Sequence, residues 1–74
     1  MEWQKFIEVR ENVCHGKPVI KGTRIMIANI LSLIGGGYTL KDILEYYPEL
    51  TEEQVKAAIE YALKVIQDEE IILR

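Results

Sequence analysis

Three cations, Lys17, Lys21 and Arg24, are spaced through one short segment, Gly16-Lys17-Pro18-Val19-Ile20-Lys21-Gly22-Thr23-Arg24-Ile25. The chemistry open to them is recognition of anions. A guanidinium meets a carboxylate or phosphate with two parallel N–H donors, whereas an ammonium acts as a point charge. Thr23 adds a hydroxyl next to Arg24. Lys17, Lys21, Thr23 and Arg24 are therefore the candidate residues for binding a protein partner or a nucleic acid. The competing reading of the same segment is a structural hairpin with solvated lysines. Covalent chemistry has a poorer case. Cys14-His15 is the one nucleophile–base pair in the chain, adjacent residues seldom point at one another, and no Asn or Asp completes a triad. One Cys and one His are too few to hold a metal. The expectation is a protein that is not an enzyme, with no metal, cofactor or small-molecule substrate. Cys14 is expected as a small buried hydrophobe and His15 as a loop residue.

The elements that must position these cations are stiff. Gly16 and Gly22 can take φ > 0 or admit a close backbone approach. Pro18 fixes its own φ and pushes Lys17 toward an extended conformation. Phe6-Ile7-Glu8-Val9-Arg10 is short and partly alternating, which predicts a strand. Val19-Ile20 and Arg24-Ile25, around Lys21-Gly22, predict a second strand or a tight ribbon. The cations are thus displayed on a folded-back segment and not on a loose tail.

Gly16 to Ile25, followed by Gly37-Tyr38-Thr39 and then Tyr47-Pro48-Glu49-Leu50-Thr51, resembles the small prokaryotic family known as domain of unknown function 433. That family reads G-K-P-x-I-x-G-T-R-I-P, a helix, a short glycine turn, I-L-x-x-Y-P-x-L-T and a final helix. The match covers Gly16 to about Leu63. Met26 stands where the family carries proline, which removes a preset first helical turn but substitutes a better helix former. The resemblance implies a homeodomain-like three-helix module acting as an antitoxin, encoded beside a PIN-like ribonuclease toxin.

The helices can be read from their caps. Thr39 is an N-cap with Asp42 at N3, and Tyr38 and Ile43 stand at the two positions of a hydrophobic staple. Thr51 and Gln54 repeat the device, with Leu50 and Val55 as the staple. Pro48 cannot continue the preceding helix, so the two form a helix-turn-helix pair. Upstream, Ile27 to Ile34 is apolar on nearly every side, as a buried central helix would be. Gly35-Gly36-Gly37 ends it with freedom for a left-handed residue. In the last helix Val55, Ala58, Ile59, Ala62, Leu63 and Ile66 share one face. The predicted helices lie near residues 27–35, 39–47 and 52–67, packed around Ile30, Leu31, Ile34, Ile43, Leu44, Val55, Ile59 and Ala62. The fold class is mainly α: a three-helix helix-turn-helix bundle preceded by a short β-strand and hairpin segment. Glu70-Ile71-Ile72-Leu73-Arg74 is expected as a strand, or alternatively as a frayed helical extension. All 74 residues form one domain, with a hairpin region over 1–25, the helical unit over 26–67 and a tail over 68–74.

Charge and length point to partners. A chain of 74 residues buries only about 60% of its unfolded surface, a marginal fraction for a lone core. Residues 1–37 carry a net charge of +2 and residues 38–74 a net of −5. Opposed halves, a marginal core and an apolar tail predict a two-fold homodimer. No stretch approaches the roughly 20 apolar residues of a membrane span. The mixed charges of the first ten residues do not fit a signal peptide, and a single cysteine cannot form an internal disulfide, so a cytoplasmic protein is expected.

DNA reading by the last helix is disfavoured, because Glu52 and Glu53 occupy the end that usually meets base edges. If DNA is bound, Lys17, Lys21 and Arg24 are the residues to bind it. Three functions stay open: an antitoxin against a PIN-like ribonuclease, a structural dimerisation module, and a DNA-binding regulator without a toxin.

Overall fold

The computed structural model describes residues 2–68. It contains three helices, α1 (Ile27–Gly35), α2 (Leu40–Tyr46) and α3 (Glu52–Asp68), within a residue or so of the expected bounds. Two short strands precede them. β1 (Ile7–Glu8) pairs antiparallel with β2 (Val19–Ile20), Ile7 opposite Ile20 and Glu8 opposite Val19. A 3-10 turn over Trp3–Lys5 opens the chain, an element with no signal in the residue pattern. The mainly α class with a short strand pair is as expected. The strand expected over residues 70–74 lies outside the described residues.

The predicted caps form as read. The Thr39 side chain accepts from the Asp42 N–H at 3.1 Å, and the Asp42 carboxylate accepts from the Thr39 N–H at 2.9 Å. Those bonds hold the Asp42 carboxyl below its ordinary value, the backbone bond from Thr39 being the larger cause. Thr51 and Gln54 repeat the exchange at 3.2 and 2.8 Å. The Leu50–Val55 staple is buried at both ends, whereas Tyr38, at the corresponding position before α2, stays 42% exposed.

α1 ends in a complete glycine C-cap. Gly37 takes φ +95°, its N–H donates to the Ile34 carbonyl at 3.0 Å, and the Tyr38 N–H donates to Leu33 at 3.0 Å. Pro48 sits in the turn after α2, where the Tyr47 ring packs edge-on against Tyr46 with centroids 4.8 Å apart. Burial there pushes the Tyr47 phenol up.

The core differs from expectation in which faces it uses. Ile30, Ile43 and Val55 are buried as predicted, and Leu31, Leu44 and Ala62 are half-buried. Ile34 and Ile59 are not core residues, being 37% and 44% exposed. α1 is not surrounded: Ile27 and Ile30 face inward while Ala28, Asn29 and Ser32 face water. The single apolar face expected on α3 splits in two. Val55, Ala57 and Ala58 turn inward, and Ile59, Leu63 and Ile66 turn outward. The small alanines let α3 approach the rest of the domain closely, and the hairpin region supplies the apolar bulk: Ile7, Val19, Ile20 and Ile25 are all buried. Each such side chain contributes roughly 1.5–3 kcal/mol. The chain closes on itself where Trp3 meets Tyr61 of α3 edge-to-face, centroids 5.2 Å apart at 68°.

Candidate partner-binding surface

The cationic segment is a built hairpin. Ile20 donates its N–H to the Ile25 carbonyl at 3.0 Å, Ile27 donates to Pro18 at 3.0 Å, and between these bonds Val19 lies opposite Met26. The turn is sewn by Thr23. Its hydroxyl donates to the Ile20 carbonyl at 2.8 Å and accepts from the Ile25 N–H at 3.0 Å. Gly22 takes φ +81° at the corner, a conformation that favours glycine. Its N–H donates to Oε1 of Glu8 at 3.2 Å, and the Lys21 N–H donates to the Phe6 carbonyl at 2.7 Å. The β1 region thus braces the turn from below.

The approach to the hairpin has an unusual course. Cys14, His15 and Gly16 take φ of +50°, +57° and +80°, a left-handed turn in which only one residue is glycine. Left-handed residues other than glycine cost roughly 1–2 kcal/mol each, so the surroundings must hold them there. Cys14 supplies one tie: its Sγ–H donates to the Arg24 carbonyl at 3.5 Å. It is half-buried, less so than the small buried hydrophobe expected, and His15 is exposed on the loop. Lys17 follows in the extended conformation that Pro18 imposes, φ −78° and ψ 147°.

All three cations reach water. Lys17, Lys21 and Arg24 are exposed. Among the described residues none of them lies within 4.0 Å of an acidic group; the ion pairs there are Arg10–Glu8, Lys56–Glu52 and Lys64–Asp68. The structure therefore brings Lys17, Lys21 and Arg24 onto one rigid hairpin. Thr23 has a different place, because its hydroxyl is consumed inside the turn. Glu8 is the residue the sequence did not single out. Its side chain is only 18% exposed and spans from Arg10, at 3.9 Å, to the turn amide. A lone acid on a strand facing a cation-rich loop was the available signal.

A second surface is apolar. Ile34, Tyr38, Leu40, Val55 and Ile59 line a cavity of about 250 Å³ between α1, α2 and α3. A shallower one of about 520 Å³ runs past Gly37, Asp42 and Tyr46. The start of α3 carries exposed Glu52 and Glu53, so its N-terminal end is acidic in the folded chain also.

Comparison with known proteins places the chain. The sequence pattern of the family described as "Protein of unknown function (DUF433)" matches residues 7–62, and the chain belongs to that family. A crystal structure of a DUF433 member from Anabaena variabilis ATCC 29413 superposes with a TM-score of 0.78 at 33% identity, over 82% of this chain and 60% of that one. The uncharacterised protein y4eO of Sinorhizobium fredii is 29% identical over 51 residues, 69% of this chain. That stretch spans 23% of the relative's length. Among the described residues no helix is long and apolar enough to cross a membrane.

Proposed function

We propose that this chain is a binding protein of the antitoxin class, whose hairpin of Lys17, Lys21 and Arg24 seats in the acidic cleft of a PIN-like ribonuclease. PIN-like enzymes gather carboxylates around a divalent metal, and a guanidinium paired bidentately with those carboxylates competes with both metal and RNA phosphate. The observation that carries the reading is the exposed Arg24 side chain, with no ion pair among the described residues, on a turn braced by Thr23 and Glu8. A guanidinium delivered from a fixed backbone loses less freedom on docking than one on a mobile loop. The antitoxin role that the resemblance of Gly16–Ile25 implies supports the choice of partner.

The test is neutralisation of a PIN-like ribonuclease co-expressed with this chain, by growth and by RNA cleavage, with wild type, Arg24→Ala and Arg24→Lys. Both variants are expected to lose most neutralisation, because a point charge does not replace a fork. Any affinity for promoter DNA should survive in Arg24→Lys as a weak, salt-sensitive component. Full neutralisation by Arg24→Lys would sink the mechanism.

A further inference from the structure

We infer that the corner formed by Tyr38 and Tyr46 beside Asp42 and Glu45 is a recognition site for an arginine side chain of a partner protein. These four residues, with Gly36 and Gly37, line the shallow cavity of about 520 Å³ at the end of α1. The two rings stand at 85° with centroids 6.3 Å apart, so they meet as a corner and not as a stack. Tyr38 is 42% exposed and Tyr46 58%, which leaves ring surface open to a ligand. Tyr46 is held in place by a further edge-on contact with Tyr47. Asp42, Glu45 and Tyr46 follow at three- and four-residue spacing and therefore share one face of α2. The Thr39 N–H fixes Oδ2 of Asp42 at 2.9 Å.

The charges at this corner have one sign, and that sign selects the ligand. Aromatic faces are electronegative, and cations sit against them. Glu45 forms no ion pair among the described residues. Gly36 and Gly37 bring the C-terminal end of α1, with its partial negative charge, against the same cavity. Lys41, four residues before Glu45, is exposed, does not line the cavity and makes no ion pair among the described residues. A metal needs more ligands than two carboxylates, and no group of three His, Cys, Asp or Glu among the described residues could hold one. A planar guanidinium suits the corner better than an ammonium, because it lies on a ring while its N–H fork meets a carboxylate. The cavity is too shallow to enclose a free metabolite, so the cation arrives on a larger body, as a side chain does. The hairpin joins α1 at its other end, where Ile27 donates to Pro18, so this site does not depend on the antitoxin reading.

Nuclear magnetic resonance of the full chain, titrated at low salt with acetyl-Gly-Arg-Gly-amide, reads the site directly. Resonances of Tyr38, Glu45 and Tyr46 should move together and saturate. The matching citrulline peptide, similar in shape but uncharged, should move none of them. Tyr46→Leu should weaken binding about two- to fivefold, whereas Tyr46→Phe, which keeps the ring, should not. Glu45→Gln should weaken it by a similar factor, and by less in high salt. Helical circular dichroism should be unchanged in all three, because both side chains are exposed. Three results would each overturn the proposal: an equal response to the citrulline peptide, a Tyr46→Leu chain that binds as tightly as the parent, or shifts at Glu52 and Glu53 as large as those at Glu45. A wild-type dimer that Tyr46→Leu converts to a monomer in sedimentation would also overturn it, since a second copy would then be the occupant.

Discussion

The Thr23 hydroxyl and the Ile20 carbonyl lie 2.8 Å apart, and the same hydroxyl holds the Ile25 amide at 3.0 Å. One side chain therefore closes the hairpin that carries Arg24. Thr23→Val keeps the shape and removes both bonds, and it should destabilise the domain by about 1–3 kcal/mol by denaturant titration. Arg24→Ala should by comparison change stability by under about 0.5 kcal/mol, as expected of an exposed side chain with no ion pair among the described residues. If Arg24→Ala proved the more destabilising, the guanidinium would be structural.

Met26 offers a stabilising substitution. It is the N-cap of α1, with φ −75°, and the bonds that flank its pairing with Val19 are made by Ile20 and Ile27, not by its own amide. That geometry accepts a proline ring and loses no backbone bond. Met26→Pro should raise stability by about 0.4–1 kcal/mol, seen as a higher denaturation midpoint. Because the position lies outside the helix proper, the helix propensity of methionine counts for nothing there.

Ile30 and Ile59 separate core from surface. Ile30→Ala should cost about 2–5 kcal/mol at any protein concentration, because the side chain is fully buried within one chain. Ile59→Ala, at dilutions where the chain is a monomer, should cost well under about 1 kcal/mol. Thermal unfolding across a dilution series distinguishes the two.

Acid should loosen the start of α2. The Asp42 carboxyl lies below its ordinary 3.8 in the folded chain, so its cap contributes fully above that value and is lost as pH falls through the lower folded value. Wild type should exceed Asp42→Asn in stability at neutral pH, and the gap should narrow below about pH 4. A gap that persists in strong acid would remove the carboxylate from the account.

Local signals were legible and tertiary choices were not. Thr39, Thr51 and Gly37 act over three or four residues, so capping chemistry alone located the ends of the helices. The inward face of α3 was not decided by its apolar pattern, because six apolar positions cover more of the helix than one contact needs. Close approach chose Ala57 and Ala58 for the core and left the larger Ile59 and Leu63 outside. The left-handed turn at Cys14 and His15 was not read either, because Cys14 gives no sign of positive φ and His15 only a weak one. On the candidate surface the spacing of Lys17, Lys21 and Arg24 was apparent, whereas the bracing by Glu8 arises from a strand pairing between distant residues.

The edge-to-face meeting of Trp3 with Tyr61 has a consequence for the order of events during synthesis. Trp3, made before the rest of this domain, finds its partner on α3, the last of the described helices. β1, β2, α1 and α2 can assemble from neighbours as they emerge, but the domain is fastened only when α3 is free. Until then Trp3 stands in water, and its fluorescence on a stalled chain would report the moment of closure. A bulky fusion at the amino terminus presses on that clasp, whereas an insertion in the loop of residues 9–13 leaves it alone.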